Sequence, residues 1–347
     1  MHFPNKTRMI VLPFFIPLAV LLSYTPVDAG DTLTRIKDRD KVRCGVSDGI
    51  PGFSFKGPDE RWAGMDADFC RALASAVLGD AGKVDYISLP ASARFQSLKA
   101  GEIDVLARNT TWTLAREATL EVMFTGVLYY DGQSFLVPAR SDVKDLSRLN
   151  GTTICVVKGT THETNLSDQF RARNWSCQPL VVESHTKAVE ALFAGQCQAY
   201  TSEGPQLRSA QLRAPGGTGE YLILPDRISK EPMGPVVRRG DDEWFTIVRW
   251  VLFVLIRAEE IGLTRSNVRT MLEATSDSMA QQWIELDGIV SKTLPIPRGW
   301  AVHAVESVGN YGEMFERNLG AQSGVNLDRG LNRLYTQGGL MYSPPFR

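Results

Sequence analysis

At 347 residues, with 43% hydrophobic side chains, the chain is long enough for two domains that each bury a core. Its 38 Lys and Arg against 39 Asp and Glu leave a formal net charge of −1, which gives no attractive field for nucleic acid or an anionic membrane surface. Four histidines, and five cysteines without a Cys-x-x-Cys pair, match no zinc pattern.

Residues 1–29 read as a signal peptide. His2, Lys6 and Arg8 give a basic start, and residues 9–22 form an apolar run containing Pro13 and Pro17. Val27-Asp28-Ala29 offers small residues for a peptidase, so cleavage is expected after Ala29. The run is shorter than the roughly 20 residues of a spanning helix. No cysteine lies near the cleavage site, so a soluble exported chain is expected rather than a lipid-anchored one. An oxidising compartment permits disulfides. Cys44 sits in a strand candidate and Cys70 in the helix after it; Cys155 and Cys197 both sit in strand candidates. Pairs 44–70 and 155–197 are expected, with Cys177 free.

Along the mature chain, residues 34–39 read as a helix and 42–46 as a short strand. The strand runs into a turn-rich loop at 47–53. Apolar spacing at Phe69, Leu73, Ala76 and Val77 predicts a helix over 67–78. A strand at 84–89, a helix at 93–99 and a strand at 103–106 follow. Alternating strands and helices imply a covered, mostly parallel α/β sheet. The loops at 47–53, 89–94 and 107–111 all follow strands and should gather at one rim, where such sheets hold ligands. In the last of them, Arg108-Asn109-Thr110-Thr111 leads to Thr113, which can cap a short helix carrying Arg116. Backbone N–H groups and a guanidinium there form a cradle for one carboxylate. The plain alternative is a surface turn in which Arg116 pairs with Glu117 or Asp131.

A second α/β unit follows, with strands expected at 134–137, 154–157, 179–183, 199–202 and 222–224. Helices are expected at 163–171 and 186–194. Lys158-Gly159-Thr160-Thr161 repeats the pattern of a strand, paired threonines and a helix. Strands near 135 and 236 would bracket this unit as a double hinge. The division is then lobe 1 at 30–135, lobe 2 at 136–233, and a return to lobe 1 with a C-terminal helical extension at 234–347. The long apolar helix at 244–260 should pack on lobe 1 or the hinge. Arg116 and N–H donors on one side of the cleft, with Glu203 on the other, suit an α-amino acid zwitterion.

The mature chain resembles the periplasmic amino-acid-binding proteins of polar amino acid ABC transporters, and most of all their general L-amino-acid branch. The resemblance rests on Cys44-Gly45-Val46-Ser47 with Pro51-Gly52-Phe53-Ser54, on residues 101–106, and on Arg108-Asn109-Thr110-Thr111-Trp112-Thr113. It extends through Tyr129-Tyr130-Asp131-Gly132-Gln133, Lys158-Gly159-Thr160-Thr161, Ile228-Ser229-Lys230-Glu231-Pro232, residues 308–313 and Gly338-Gly339-Leu340. It implies the two-lobed type II periplasmic binding-protein fold, in the periplasm, closing as a monomer on one L-amino acid and delivering it to a membrane permease. Arg116 matches the carboxylate clamp, Thr111 and Thr161 (with Thr160 beside it) the carboxylate donors, and Asn109 a residue near the amine. Glu203 stands where the family usually has aspartate. Ala107 stands where near relatives often have serine. Ile50 or Phe53 falls near the aromatic lid position, and Arg94 points by analogy towards the ligand side chain.

Other chemistry finds little support. His162-Glu163 begins like a zinc-protease motif, but Leu166 takes the second histidine's place. No nucleophile elbow, Walker loop or dinucleotide fingerprint is present, so neither cofactor nor metal is expected. The alternative function is an exported dehydratase of the cyclohexadienyl type on the same scaffold, with Glu203 as general acid.

Overall fold

A computed structural model describes His2 and residues 31–274, 283 and 288–346. The expected signal segment, apart from His2, lies outside the described residues. The chain opens with α1 (Thr32–Arg39), β1 (Val42–Val46), β2 (Phe55–Lys56), β3 (Trp62–Ala63), α2 (Met65–Leu78) and β4 (Val84–Ser88). Then come α3 (Arg94–Lys99), β5 (Val105–Leu106), α4 (Leu114–Thr119), β6 (Val122–Phe124), β7 (Tyr129–Asp131) and β8 (Gln133–Pro138). The middle of the chain forms β9 (Thr153–Val157), α5 (Thr161–Ala172), β10 (Gln178–Val182), α6 (His185–Phe193), β11 (Ala199–Glu203), α7 (Gly204–Leu212) and β12 (Tyr221–Ile223). It closes with β13 (Glu231–Met233), β14 (Val236–Arg238), α8 (Asp242–Glu260), α9 (Val268–Ala274), α10 (Trp300–Val308) and α11 (Tyr311–Asn318).

Two five-stranded mixed sheets organise these elements. The first runs β4-β1-β5-β14-β6, with β1 parallel to β4 and β5, and β14 antiparallel to its neighbours. The second runs β10-β9-β11-β8-β12, with β9 parallel to β10 and β11, and β8 antiparallel to β11 and β12. Each sheet is covered on both faces, which is why its strands read as apolar runs rather than alternating ones. One face of the first sheet packs on α2, α8, α10 and α11 through Leu73, Val251, Val305 and Phe315; the other buries Leu98, Leu106, Phe124 and Val236. In the second sheet, Phe135, Ile154 and Leu166 fill one face, and Leu136, Leu192 and Leu207 the other. The C-terminal helices therefore complete lobe 1. The apolar run at 251–256 lies inside α8 and is mostly buried there, and no helix of the described residues is long and apolar enough to cross a membrane.

The connection between lobes differs from the expectation. Strands near 135 and 236 exist, as β8 and β14, but each is an internal strand of its own sheet. The chain crosses instead through β7 and β13, an antiparallel two-stranded ribbon with Asp131 opposite Glu231. Residues 133–135 thus belong to the second sheet, where β8 pairs with β11. The side chains of Gln133, Ser134, Phe135, Leu136 and Val137 are all buried, which draws the segment into a core that a hinge strand would not enter. Asn332 near the C-terminus bonds both Tyr130 N (2.7 Å) and Tyr130 O (3.0 Å), fastening the tail to this ribbon.

Both expected disulfides are present, Cys44–Cys70 and Cys155–Cys197, and Cys177 is free and half-buried.

Candidate functional site

The cleft lies between the carboxyl ends of β1, β4 and β5 on lobe 1 and of β9 and β11 on lobe 2. On lobe 1, Thr113 caps α4: its Oγ1 accepts from Arg116 N at 3.2 Å. That cap fixes the direction of Arg116, whose Nη1 donates to Thr111 O at 2.6 Å and whose guanidinium lies 5.3 Å from the Phe95 ring centre. The plain alternative for Arg116 is not realised. Glu117 Oε1 accepts from Phe124 N at 3.1 Å, and Asp131 Oδ2 from Gly204 N at 2.8 Å.

Two further arginines share the cleft. Arg108 is buried, donates through Nε to Leu89 O at 2.8 Å, and brings Nη2 to 3.5 Å from Asp48 Oδ1. Arg94, at the start of α3, is also buried; its Nη2 reaches across to Gly159 O of lobe 2 at 3.4 Å, while its Nε has no partner. Burial, then the charges of Arg116 and Arg108, push the Arg94 guanidinium well below its ordinary pKa. Burial also lowers Arg108, and brings Arg116 down to about 10. Three crowded, poorly solvated guanidiniums make a site that an anion relieves.

Asn109 adopts a left-handed φ of 38°. Its N–H donates to Asp66 Oδ2 at 2.9 Å, and its own Oδ1 is buried without a partner. Burial pushes the Asp66 carboxyl up to about 7, against the pull of that N–H and of Arg108.

On lobe 2, Thr160 and Thr161 begin α5. Their hydroxyls are already donating, Thr160 Oγ1 to Val157 O at 2.7 Å and Thr161 Oγ1 to Glu231 Oε2 at 2.9 Å. The donors this corner offers a ligand are therefore the N–H groups of the first helical turn. Glu203 ends β11; its Oε2 accepts from Ser202 Oγ at 3.1 Å, and its Oε1 lies 3.1 Å from His162 Nε2. Burial would raise the Glu203 carboxyl, but His162, Ser202 and the backbone hold it below the ordinary range. His185, bonded through Nδ1 to Tyr200 Oη at 2.8 Å, is held near 3 by burial and by Arg213, so it stays neutral. Gln206 Oε1 is a further buried acceptor without a partner.

Ile50, Arg94, Asn109, Thr111, Arg116, Thr160, Thr161 and Glu203 thus line one cleft. Phe53 does not join them. It is buried in the lobe 1 core, edge-on to Tyr129 with ring centres 5.3 Å apart. The reason is local: residues 50–54 fold back through an Ile50–Ser54 bridge, which turns Ile50 to the cleft and Phe53 inward. No local pattern in the sequence marks His185, Tyr200 or Gln206; Asp48 is marked only as part of the rim loop 47–53, and His162 and Arg108 only as parts of motifs whose roles there were other or unassigned.

No metal was expected, yet His162, Glu203 and Glu231 bring one ligand atom each within 4.8 Å of one another. Glu231 already accepts from Thr161, Asn165 and Ser229. With that carboxylate so committed, the group suits an ammonium, which needs acceptors rather than open coordination positions, better than a metal ion.

Comparison with known proteins gives consistent matches. Residues 42–264 match the model of the bacterial extracellular solute-binding proteins, family 3. The general L-amino acid-binding periplasmic protein AapJ of Rhizobium johnstonii is 44% identical over 95% of this chain and 96% of its own length. The glutamate/glutamine/aspartate/asparagine-binding protein BztA of Rhodobacter capsulatus is 40% identical over 96% of this chain and 98% of its own. Among solved structures, a periplasmic binding protein of an ABC transporter from Brucella ovis, with glutathione bound, is 40% identical. It superposes with a TM-score of 0.88 over 92% of this chain and 100% of its own.

Proposed function

The chain belongs to the bacterial extracellular solute-binding proteins, family 3, and from that premise we propose that it captures an L-amino acid between its lobes and delivers it to the permease of an ABC transporter. Its architecture is the two-lobed type II periplasmic binding-protein fold. The observation that carries the ligand class is the opposition of three arginines on lobe 1 to Glu203 on lobe 2 across one cleft. The α-carboxylate lies against Arg116, the Thr111 region and the N–H groups that open α5. The α-ammonium lies against Glu203, with Asn109 Oδ1 within the same cleft as a further acceptor.

Because both lobes contribute contacts, ligand favours the closed arrangement and shifts the population towards it. Arg94 reaches the cleft with an unpartnered Nε, which suits an acidic or amide side chain. The range includes γ-glutamyl compounds, since the free end of glutathione is itself an α-amino acid head and the Brucella relative holds glutathione. The role is non-catalytic and monomeric, in the periplasm, after removal of residues 1–29.

A thermal-shift screen of the mature chain against the twenty L-amino acids and glutathione tests this. Stabilisation by glutamate, glutamine, aspartate or asparagine is the expected result, by mass action on the folded state. No stabilisation of ligand-free protein by any of them would overturn the reading. For the dehydratase alternative, His162 beside Glu203 is a second titratable group, so the same protein is incubated with prephenate and with arogenate. Turnover of either would overturn the non-catalytic role.

A further inference from the structure

We propose that His162 is a residue of the ammonium subsite and exchanges a proton for the ligand: it is charged in the ligand-free protein and neutral once the ligand's ammonium lies against Glu203. This rests on the amino-acid reading above and adds to it a residue and a proton.

The geometry is compact. His162 Nε2 is 3.1 Å from Glu203 Oε1, both residues are less than 5% exposed, and both line the cleft. Nδ1 of His162 has no partner, and Nε2 faces only Glu203 Oε1, so the state of the ring turns on that one carboxylate. Its backbone is fixed by Gln133 of β8, whose Nε2 donates to His162 O at 3.2 Å and to Thr201 Oγ1 at 2.9 Å. The charged groups that face the imidazole are Glu203 at the end of β11, Glu231 on β13, and Arg116 of α4 on the opposite lobe. Two carboxylates against one guanidinium favour the imidazolium. Burial alone would lower the imidazole, yet Glu203 and then Glu231 carry it above its ordinary value.

An arriving ammonium is a second cation for the same carboxylate. In a buried site with little solvent screening, two cations on one oxygen pair repel strongly. The conflict is removed when His162 loses its proton to solvent. The neutral ring then offers a lone pair to one ammonium N–H, alongside Glu203. Charge balances: imidazolium plus zwitterion becomes imidazole, bound zwitterion and one released proton. Below the imidazole's pKa in the ligand-free protein, affinity should therefore rise up to about tenfold per pH unit, and level off above it.

The test is calorimetric titration of the mature protein with L-glutamine, whose side chain does not titrate, from about pH 5 to about pH 8. A different L-amino acid with a neutral side chain replaces it if that one stabilises more in the screen. Each pH is run in two buffers of different ionisation enthalpy. The expected result is a dissociation constant that falls with pH and a buffer-dependent enthalpy reporting release of close to one proton. His162→Gln, which keeps an acceptor, should still bind but lose the pH slope and the buffer dependence together. His162→Asn serves if that variant does not fold. A flat affinity with buffer-independent enthalpy in the wild type would overturn the proton exchange and leave the amino-acid reading intact. Proton release unchanged in the variant would do the same. Absence of binding at every pH would overturn both.

Discussion

Asp131 and Glu231 stand directly opposite each other in the two-stranded ribbon that joins the lobes. Each leaves the ribbon to hold the start of a lobe 2 helix. Asp131 Oδ2 accepts from Gly204 N of α7, and Glu231 accepts from Thr161 and Asn165 of α5 at 2.9 and 2.7 Å. Burial, and after it the charge of Glu203, push the Asp131 carboxyl up to about 7 against the pull of the Gly132 and Gly204 N–H groups and of Arg227. The same ribbon thus sets both the hinge and the orientation of the helix starts that face the cleft. Glu231→Ala would strand the Thr161 and Ser229 hydroxyls and the Asn165 amide. The expected cost in urea unfolding is about 2–3 kcal/mol, with Glu231→Gln recovering part of it. A loss below about 0.5 kcal/mol would mean that water takes over these donors.

Arg116 is held to the protein through Thr111 O and the Phe95 ring rather than through an ion pair. Its removal should therefore spare the fold and remove the ligand. Arg116→Ala is expected to cost about 2–5 kcal/mol of binding free energy and less than about 1 kcal/mol of stability. Arg116→Lys should fall between, because an ammonium cannot make the bidentate bond. Calorimetry and a melting curve on the same preparations separate the two effects, and near-normal affinity of the alanine variant would remove Arg116 from the site.

The two disulfides flank the strands that carry the cleft. Cys44–Cys70 ties β1 to α2 across 26 positions, and Cys155–Cys197 ties β9 to the turn before β11 across 42. Loops of that length predict about 3–4 kcal/mol each from the entropy of the unfolded chain. Paired Cys→Ser variants in guanidinium unfolding check it. Cys177→Ser, outside both pairs, should change stability by less than about 0.5 kcal/mol.

Much of this architecture was legible in the sequence because its physics is local. Covered parallel strands must be apolar runs, a threonine before a short helix caps it, and an arginine one turn on has few places to go. Thr113 and Arg116 follow that logic closely. The hinge was not legible: β7 and β13 are three residues each, contain Pro232, and carry no alternation to read. Ile50 and Phe53 were indistinguishable, since which one faces the cleft depends on the Ile50–Ser54 bridge. Arg108 stands in a legible motif, but its burial depends on Leu89 O and Asp48, which come from two other loops. The meeting of His162 with Glu203 joins the start of one helix to the end of a later strand, and no spacing rule encodes such a pair.

Asp66 gives a pH-dependent prediction with a definite sign. Its carboxyl is pushed up to about 7 in the folded protein from the ordinary 3.8. Between those values the folded state holds a proton that the unfolded chain releases. The stability this contributes is fully present below about pH 4 and is lost as pH rises to about 7. Asp66→Asn keeps an oxygen for the Asn109 N–H but never ionises. Relative to the wild type it should gain on the order of 2–4 kcal/mol between about pH 4 and about pH 7, and no more above that. Urea unfolding of both proteins at about pH 5 and about pH 8 measures the difference. An unchanged difference would show that Arg108 fully supports the ionised carboxylate.

Gly159 offers the sharpest test of closure, because it is where the backbones of the two lobes meet. It has φ +75°, and a Cβ there would lie 2.9 Å from Ser92 Cα, 3.1 Å from Ser92 N and 3.3 Å from Ala91 C. Those atoms are main chain on lobe 1, at the loop that leads into Arg94, and cannot swing aside as a side chain can. Gly159 O also accepts from Arg94 Nη2 across the gap. An alanine here acts in two separable ways. The left-handed backbone costs about 1 kcal/mol whether the lobes are open or closed. The clash with Ser92 exists only when they are closed, so it acts on binding alone. Gly159→Ala should therefore lower the stability of ligand-free protein by about 1 kcal/mol, while ligand affinity falls by roughly tenfold to a hundredfold. Small-angle scattering with saturating ligand should leave the variant more extended than the wild type. An affinity within about twofold of the wild type would mean that the ligand-bound lobes do not approach at this corner, and that closure is completed elsewhere along the cleft.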